Sequence, residues 1–258
     1  MSALLLLEYL IYGASGLLLL LGVKYLWLSL RQRPYHPDPW LKAREKGDIP
    51  EDVLRYERKS SDKVRVYNIW YQIQRIQQEC VKGDFAELGV YKGESAWLMH
   101  TLAPTRTFHL FDTFKGFHKD DLKYETGEAA TYDWHDFADT DEELVRRKLG
   151  NSQHIQIHAG YFPDTTDGLG DLTFSLVNID ADLYAPVSAG LNYFYPRLST
   201  GGVIMVHDYT YRWEGLRRAV DEFITTIPEN IIHVPDRFGT VMIIKNKPAP
   251  ASQSGAPH

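Results

Sequence analysis

The chain has 258 residues, of which 44% are hydrophobic and 24% are charged, and these values are ordinary for a globular protein with a full core. This length fits one large domain or two small ones. The formal net charge of −6 argues against a nucleic-acid-binding protein, for which a basic surface is expected. Because Cys80 is the only cysteine, no intrachain disulfide can form, and we interpret Cys80 as a packed helix residue rather than a nucleophile.

The N-terminal segment predicts a transmembrane helix. Residues 9–23, YLIYGASGLLLLLGV, carry no charge, and apolar residues resume after Lys24. The span 9–30 has the length that a helix needs to cross about 30 Å of hydrocarbon, and Tyr25 and Trp27 lie near one end, as interfacial rings do. A cleaved signal peptide is the alternative, but no basic residue precedes the run and no small-residue cleavage site follows it. A buried soluble helix would need a polar face.

The residues that flank this span predict its orientation and the domain boundaries. Only Glu8 precedes the span, whereas Lys24, Arg31 and Arg33 lie at its other end, so the positive-inside rule places the body of the protein in the cytoplasm. We therefore expect a single-pass membrane protein. The predicted regions are a membrane anchor over 1–31, a proline-containing linker over 32–54, a folded domain over 55–246 and a disordered tail over 247–258.

Helical patterns and short apolar runs alternate through the predicted domain. The predicted helices cover residues 64–81, 93–102, 141–150, 188–198 and 213–227. The predicted strands cover residues 84–90, 107–112, 154–160, 172–180, 201–208, 231–234 and 239–245. This alternation predicts an α/β fold in which a parallel sheet has helices on both faces. The short connection between the last two strands, with Pro235 and Gly239, predicts an antiparallel strand at the end.

Glycines and acids follow the first two predicted strands. Gly89 and Gly93 form a turn from the first strand into a helix, but their spacing is not the G-x-G-x-x-G dinucleotide fingerprint. Glu87 lies on the first strand, and Asp112 ends the next strand about twenty residues later, where an acid can bind ribose hydroxyls. This combination predicts a nucleoside-containing cofactor. Because no P-loop lysine is present, a cofactor other than ATP fits better.

Five segments together carry a family resemblance, in order, between about residues 64 and 245. They are ELGVYKGESA, HLFDTFKGF, GYFPDT, IDADLYAPVSAGLNYFYPRLSTGG and VHDY. They resemble the macrocin O-methyltransferase family of class I S-adenosylmethionine-dependent enzymes. The resemblance implies a Rossmann-like class I methyltransferase fold with a seven-stranded, mostly parallel sheet. It implies cofactor-binding positions at Glu87, Gly89, Val90, Tyr91, Gly93, Ser95, Asp112, Thr113, Phe114, Gly160, Tyr161, Phe162 and Asp180.

The resemblance also assigns parts of the cofactor to these positions. Glu87, Gly89 and Gly93 would line the methionine and ribose side, and Ser95 would help to hold the methionine carboxylate. Asp112 would bind the ribose. The adenine would lie beside Thr113 and Phe114, with Gly160, Tyr161 and Phe162 completing its pocket.

Sugar-modifying members of this family resemble catechol-type methyltransferases in using a divalent metal, usually magnesium. Carried onto this chain, the metal positions are Asp180, His207 and Asp208, with Asp180 and His207 as catalytic residues. A bound cation would lower the pKa of a sugar hydroxyl, and Asp180 would accept the proton. The chain departs from the family pattern at His207, where these members carry an acid.

Four interpretations of His207 stay open. The site binds a softer metal than magnesium, because imidazole suits manganese, iron or zinc better. Alternatively, Asp180 and Asp208 hold magnesium weakly, or the enzyme works without a metal and His207 is the base. In the fourth interpretation, His207 is a structural residue beside the cofactor.

Residues 116–143 form a long polar and aromatic segment after the second strand, and we predict a lid or acceptor-binding loop there. Its His118 and His135 match no metal-ligand spacing, so we interpret them as residues of a solvated loop. Asp182 and Tyr184 are expected to shape the substrate side, with a helix cap as the alternative for Asp182.

We expect the protein to transfer a methyl group from S-adenosylmethionine to a hydroxyl, of a sugar or a glycoconjugate such as a lipid-linked glycan. A small phenolic or polyketide-like acceptor is the alternative within the same enzyme class. The alternative outside it is a non-catalytic, membrane-tethered binding protein. Nucleic acid is not an expected partner, and a homo-oligomer is left open.

Overall fold

The structure is a computed structural model that describes residues 3–31, 35–123, 125–210 and 212–246. The predicted disordered tail, 247–258, lies outside these residues. The chain divides after Lys46 into two compact units.

The first unit contains the predicted N-terminal helix. Helix α1 covers Ala3–Arg31, and helix α2 covers Asp38–Lys46. Within α1, the 21 residues Leu7–Trp27 have a mean hydropathy of 1.5, and their described side chains are exposed. By length and composition this stretch is able to cross a membrane, and a signal sequence satisfies the same criteria.

The segment predicted as a linker, 32–54, contains helical residues instead of a continuous loop. Helix α2 lies within it, and the second unit begins with helix α3, Glu51–Lys59. Pro39 lies in the first turn of α2, and Pro50 is the N-cap of α3. A proline is tolerated there because the first N–H groups of a helix have no intrahelical acceptor. These prolines therefore mark helix starts.

Apart from the short helix α6, which lies in the segment predicted as a loop, the remaining elements of the second unit follow the predicted order. The helices are α4 Lys63–Gln78, α5 Glu94–Leu102, α6 Lys119–Leu122, α7 Glu142–Lys148, α8 Tyr184–Arg197 and α9 Glu214–Ile224. The strands are β1 Asp84–Leu88, β2 Phe108–Asp112, β3 Ile155–Ala159, β4 Phe174–Ile179, β5 Leu198–Val206, β6 Ile232–His233 and β7 Val241–Ile244.

These strands form one seven-stranded sheet with the order β3-β2-β1-β4-β5-β7-β6. The first five strands are parallel, and β7 runs antiparallel to both β5 and β6. The predicted mostly parallel sheet and its antiparallel end are therefore confirmed. In the pairing register, Leu88 lies opposite Phe111 and Ile179, and Ile179 lies opposite Val206. The residues that follow β1, β2, β4 and β5 consequently meet at one edge, next to the switch point between β1 and β4.

Helices cover both faces of the sheet. On one face, a Cβ atom at Gly190 of α8 would lie 2.7 Å from the Leu88 side chain, so α8 packs closely against β1. On the other face, Asn68 of α4 contacts the sulfur of Met205. Leu88, Ile179 and Val206 lie side by side in the pairing register and therefore face the same side of the sheet as α8. Met205 precedes Val206 in β5, so its side chain points to the opposite face, where α4 lies. Each fully buried aliphatic side chain in these layers contributes about 1.5–3 kcal/mol by removing apolar surface from water.

The expectation for Cys80 is wrong. Helix α4 ends at Gln78, two residues before Cys80, and the predicted helix continued to residue 81. Cys80 is exposed and has a φ of 53°, so it lies in a left-handed turn rather than on a packed helix face.

Candidate active site

A cavity of about 550 Å³ opens at the edge of the sheet where β1, β2, β4 and β5 end. Most of the predicted site residues line it. They are Gly89, Val90, Tyr91, Ser95, Asp112, Thr113, Gly160, Tyr161, Phe162, Asp180, His207 and Asp208. The predicted positions Glu87, Gly93 and Phe114 do not line it directly. The structure thus brings residues from distant parts of the sequence into one cavity.

The turn after β1 depends on a glycine at residue 89. Gly89 has a φ of 84°, and a Cβ atom there would lie 2.0 Å from the carbonyl oxygen of Asp180. Only a residue without a side chain allows this close approach of the β1 and β4 chain ends. The turn ends at Gly93, which has a φ of 72° and is the N-cap of α5.

Asp112 fastens this turn to β2. Its Oδ2 accepts hydrogen bonds from the backbone N–H groups of Val90 at 2.7 Å and Tyr91 at 2.8 Å. Its Oδ1 accepts from the N–H of Phe114 at 2.8 Å. A carboxylate offers about four acceptor positions, so these three bonds leave one for a ligand hydroxyl. The Asp112 carboxylate therefore lines the cavity in a fixed orientation.

Glu87 lies beneath the cavity, fully buried. Its Oε1 accepts from the hydroxyl of Ser95 at 2.6 Å and from the side-chain amide of Asn178 at 2.7 Å. Its Oε2 is buried without a hydrogen-bond partner among the described residues. Burial raises the pKa of Glu87 to about 8, and the bonds from Ser95 and Asn178 oppose that rise. The carboxyl group therefore carries a proton at neutral pH.

A charged cluster occupies the other end of the cavity, where β4 and β5 end. The guanidinium of Arg65 lies 2.7 Å from Asp180 Oδ2. The Nδ1 atom of His207 lies 3.2 Å from Asp180 Oδ1 and 3.0 Å from Asp208 Oδ1. The ring of Phe238 packs edge-on against the His207 imidazole, with centroids 5.8 Å apart. Two carboxylates therefore alternate with two nitrogen groups.

The charges in this cluster shift each other's pKa values. Burial would raise the pKa of Asp180, but the adjacent Arg65 and His207 hold it well below its usual range. Burial would lower the pKa of His207, but the Asp180 carboxylate raises it to about 9. His207 is therefore an imidazolium at neutral pH. Burial and the charges of Asp180 and Asp208 raise the pKa of Asp182 well above its usual range.

Asp182 and Tyr184 have different surroundings. Asp182 lines the cavity, as expected. It is not the cap of α8, because Leu183 is the N-cap residue and the N–H of Tyr184 donates to Glu125 Oε1 at 2.7 Å. The Tyr184 hydroxyl donates to Glu222 of α9 at 2.6 Å, outside the residues that line the cavity.

The predicted lid segment, 116–143, covers part of the cavity. Phe117, His118, Asp121, Tyr132 and Phe137 of this segment line the cavity. The segment is fastened at its far end, where the Thr140 hydroxyl donates to the carbonyl of Tyr91 at 2.6 Å.

The two histidines of the lid segment lie apart from the charged cluster. The ring of His118 packs against Tyr161, with centroids 4.6 Å apart. His135 is exposed and pairs with Asp133. In the described part of the chain, neither histidine belongs to a group whose geometry suits a metal.

Arg65, Asn178 and Glu125 are among the residues at or near the site that the sequence did not single out. Arg65 could have been found, because it shares the i, i+4, i+7, i+11 spacing of Ile69, Gln72 and Ile76 on the buried face of α4. Asn178 is the one amide in β4, a strand that is apolar apart from Ser175, and this pattern also indicates a buried partner. Glu125 gave no signal, since its bond to Tyr184 joins residues 59 positions apart.

The charged cluster does not fit a divalent metal ion in this arrangement. Ligand atoms of Asp180, His207 and Asp208 lie within 4.8 Å of one another, which is close enough to share an ion. However, Asp180 Oδ2 is bound by a guanidinium, and the other two carboxylate contacts are to the His207 ring nitrogen. A cation here would adjoin the permanent charge of Arg65 and displace these bonds.

A second group of possible ligands adjoins the first but is engaged in backbone contacts. It consists of Asp62, His207 and Asp236. The Asp62 oxygens accept from the N–H groups of Arg65 and Arg237, and those of Asp236 accept from the N–H and hydroxyl of Thr240. These acids therefore hold loops and a helix start in place.

The family model for macrocin-O-methyltransferases matches residues 42–242. The chain belongs to this family. The resemblance found in the sequence is thus confirmed, and the match includes the segment of α3 that had been assigned to a linker.

Two curated relatives illustrate the family. The demethyldecarbamoylnovobiocin O-methyltransferase of Streptomyces niveus is 28% identical over 170 residues, which cover 62% of this chain and 64% of the relative. The mycinamicin III 3''-O-methyltransferase of Micromonospora griseorubida is 25% identical over 195 residues, 70% of this chain and 75% of the relative. The chain thus spans just under two thirds of the length of the first of these relatives.

Solved structures have the same fold. The O-methyltransferase NovP superposes with a TM-score of 0.62 at 27% identity, covering 72% of this chain and 81% of its own. The calicheamicin methyltransferase CalS11 superposes with a TM-score of 0.59 at 17% identity, covering 83% and 96%. The Rossmann-like methyltransferase fold is therefore confirmed.

Proposed function

We propose that this protein is an S-adenosylmethionine-dependent O-methyltransferase that acts on a hydroxyl of a sugar or glycoconjugate. The observation that carries this proposal is the single cavity that joins the Gly89 turn and Asp112 to the Asp180–His207–Asp208 cluster. Relatives of the family are named for O-methyl transfer, and one is named for a dimethoxy-rhamnosyl compound. These names support a sugar hydroxyl as the acceptor class.

The residues at the β1 and β2 ends fit the cofactor. Asp112 has one free acceptor position for a ribose hydroxyl, and Ser95, at the start of α5, lines the same cavity. Gly160, Tyr161 and Phe162 would hold the adenine together with Thr113. When bound, S-adenosylmethionine supplies an electrophilic methyl group on a positively charged sulfur.

On the acceptor side, we assign the proton acceptor to Asp180. His207 already carries a proton at neutral pH, so it acts there as a hydrogen-bond donor rather than as a base. A carboxylate with a low pKa suffices, because a hydroxyl becomes strongly acidic as its oxygen forms the new bond to carbon. Arg65 and His207 orient the Asp180 carboxylate for this transfer.

The anchor is part of the proposal. Helix α1 would hold the protein on the cytoplasmic side of a membrane, with residues 55–246 as the catalytic domain and 247–258 as a tail. A surface-bound enzyme meets lipid-linked acceptors in two dimensions, which favours a lipid-linked glycan. A small phenolic acceptor remains the alternative within the reaction class.

Calorimetry with S-adenosylhomocysteine and a transfer assay test the proposal. We expect the purified full chain to bind this product, and Asp112→Ala to abolish binding because the Gly89 turn and the ribose both lose their acceptor. Asp167→Ala, at an exposed acid outside the cavity, is the matched control. Methyl transfer is then assayed on nucleotide-linked sugars, lipid-linked sugars and phenols, with and without EDTA.

The outcomes separate the candidate functions. Transfer to a sugar supports the proposal, and transfer to phenols alone replaces its acceptor class. Binding of the product without transfer to any acceptor in the panel favours a non-catalytic binding protein. Absence of binding refutes the proposed cofactor.

A further inference from the structure

Arg65 occupies the position from which a cation would act on Asp180. It lies in the first turn of α4, whose start is fixed because the N-cap Asp62 accepts from the Arg65 N–H at 3.0 Å. Its guanidinium reaches the cavity edge and bonds to Asp180 Oδ2 at 2.7 Å. This charge is permanent in proteins, so it neutralises one carboxylate at every relevant pH.

His207 occupies the space between the two carboxylates. It is buried, and its Nδ1 lies within 3.2 Å of an oxygen from each of Asp180 and Asp208. When Nδ1 donates to these carboxylates it has no lone pair left for a metal, and Nε2 is buried without a hydrogen-bond partner among the described residues. His207 therefore presents a hydrogen-bond donor to both carboxylates.

We propose that Arg65 and His207 together take the place of a divalent cation on Asp180 and Asp208, so that this site works without a bound metal. The inference deepens the proposed function and rests on it. Arg65 acts through Asp180 as a positioning residue, because its guanidinium fixes the orientation of that carboxylate at the cavity. Both groups offer nitrogen donors in fixed directions to the two carboxylates.

The decisive measurement is a Mn²⁺ titration of the full chain in detergent, with S-adenosylhomocysteine present. Electron paramagnetic resonance detects the bound Mn²⁺. Wild-type protein should bind no stoichiometric Mn²⁺ below about 1 mM. The variant Arg65→Gln/His207→Asp removes the guanidinium and adds an oxygen ligand. It should gain one Mn²⁺ with affinity at least about tenfold higher than that of wild type.

Three further variants assign the effect to this site. Asp180→Asn added to the double variant should remove the gained Mn²⁺. Arg65→Lys/His207→Asp keeps a positive charge next to Asp180 and should bind Mn²⁺ more weakly than the glutamine version, which a merely structural role of Arg65 would not produce. Arg58→Gln, at an exposed arginine on α3, is the matched control and should resemble wild type.

Two results would overturn the inference. One is stoichiometric Mn²⁺ binding by wild-type protein that Asp180→Asn abolishes. The other is a double variant that still binds S-adenosylhomocysteine but gains no Mn²⁺ site. If the double variant does not fold, the single variants Arg65→Gln and His207→Asp replace it. The inference is then overturned if both bind S-adenosylhomocysteine and neither gains a Mn²⁺ site. Failure of wild type to bind S-adenosylhomocysteine would instead refute the proposed function, so the two failures are distinguishable.

Discussion

Glu87 illustrates how one residue links the sheet interior to the cavity. It points to the α4 and α5 side of β1, and its hydrogen-bond partners among the described residues are Ser95 and Asn178. Both partners bind the same oxygen, so the other oxygen is desolvated without compensation. In the absence of a ligand, the Glu87 carboxyl group is therefore more stable protonated than ionised.

We predict that Glu87→Gln changes how stability depends on pH. The folded-state pKa is about 8 and the reference value is 4.5, so the folded protein holds a proton that the unfolded chain releases between these values. Wild-type stability should therefore fall as pH rises through this window. Glutamine keeps the Oε1 acceptor and does not titrate, so the variant should gain on the order of 3 kcal/mol relative to wild type between pH 5 and pH 8.

Urea denaturation at several pH values without ligand measures this difference. Glu143→Gln, at an exposed glutamate on α7, provides the control and should follow the wild-type profile. Parallel profiles for wild type and Glu87→Gln would show that Glu87 is ionised in the folded protein.

His207 makes a second prediction at the residue scale, on the pH dependence of methyl transfer. With a pKa raised to about 9 by Asp180, the imidazolium and its hydrogen bonds persist through neutral pH. The initial rate should therefore be level from pH 7 to pH 8 and fall as pH rises through about 9. A rate that instead increases through pH 9 would identify His207 as the general base.

At the scale of elements, the turn between β1 and α5 holds the site together. It is bound from two sides, by the Asp180 carbonyl packed against Gly89 and by the Asp112 carboxylate bound to Val90 and Tyr91. Any enlargement of the turn must separate the strands that carry these residues. We therefore expect the turn to be sensitive to substitution.

We predict that Gly89→Ala abolishes binding of S-adenosylhomocysteine and destabilises the fold by about 3 kcal/mol or more. The new Cβ would lie 2.0 Å from a backbone oxygen, which cannot move without separating β1 from β4. Gly150→Ala is the matched control, because Gly150 has a φ of 68° but nothing within 4 Å of its added Cβ. The stability of Gly150→Ala should fall by only about 1 kcal/mol, the cost of a positive φ at alanine, and this variant should still bind S-adenosylhomocysteine.

Thermal unfolding and calorimetry on both alanine variants make this comparison. Equal losses of stability would show that the backbone angle alone matters. Retained binding by Gly89→Ala would show that the cavity does not depend on close packing of β1 and β4.

For the whole molecule, local patterns in the sequence were sufficient for the sheet and its cavity edge. Strand ends could be located from apolar runs, and the parallel arrangement then places Gly89, Asp112, Asp180 and His207 side by side. These local patterns do not predict which residue pairs with a given charged side chain. The bond from Arg65 to Asp180 joins residues 115 positions apart, so no local rule predicts it.

The prediction and the structure also differ where one residue type is compatible with two kinds of local structure. Pro39 and Pro50 begin helices, although prolines equally interrupt them in linkers. The cap of α8 comes from Glu125 in the lid segment rather than from Asp182, because tertiary packing brings a carboxylate to the helix start. Such contacts depend on the assembled fold rather than on sequence neighbours.

The N-terminal helix leads to a prediction for the protein as a whole. The described side chains of Leu7–Trp27 expose an apolar surface all round, which water does not favour. We expect the full chain to sediment with membranes and to need detergent, whereas a chain without residues 1–31 should stay in the supernatant. The shortened chain should bind S-adenosylhomocysteine with unchanged affinity, because the residues that line the cavity all lie beyond residue 55.

A charged variant of equal length separates membrane insertion from simple loss of residues. Leu17→Lys/Leu20→Lys places two charges in the apolar span, each of which costs about 2.5–3.5 kcal/mol at the centre of a bilayer. This variant should also leave the membrane fraction while retaining the helix and cofactor binding. Mass spectrometry of the membrane-bound protein then distinguishes an anchor from a signal sequence, since an anchor keeps its first residues and a cleaved signal does not. A shortened mature protein that needs no detergent would refute the anchor and leave the proposed methyl transfer untouched.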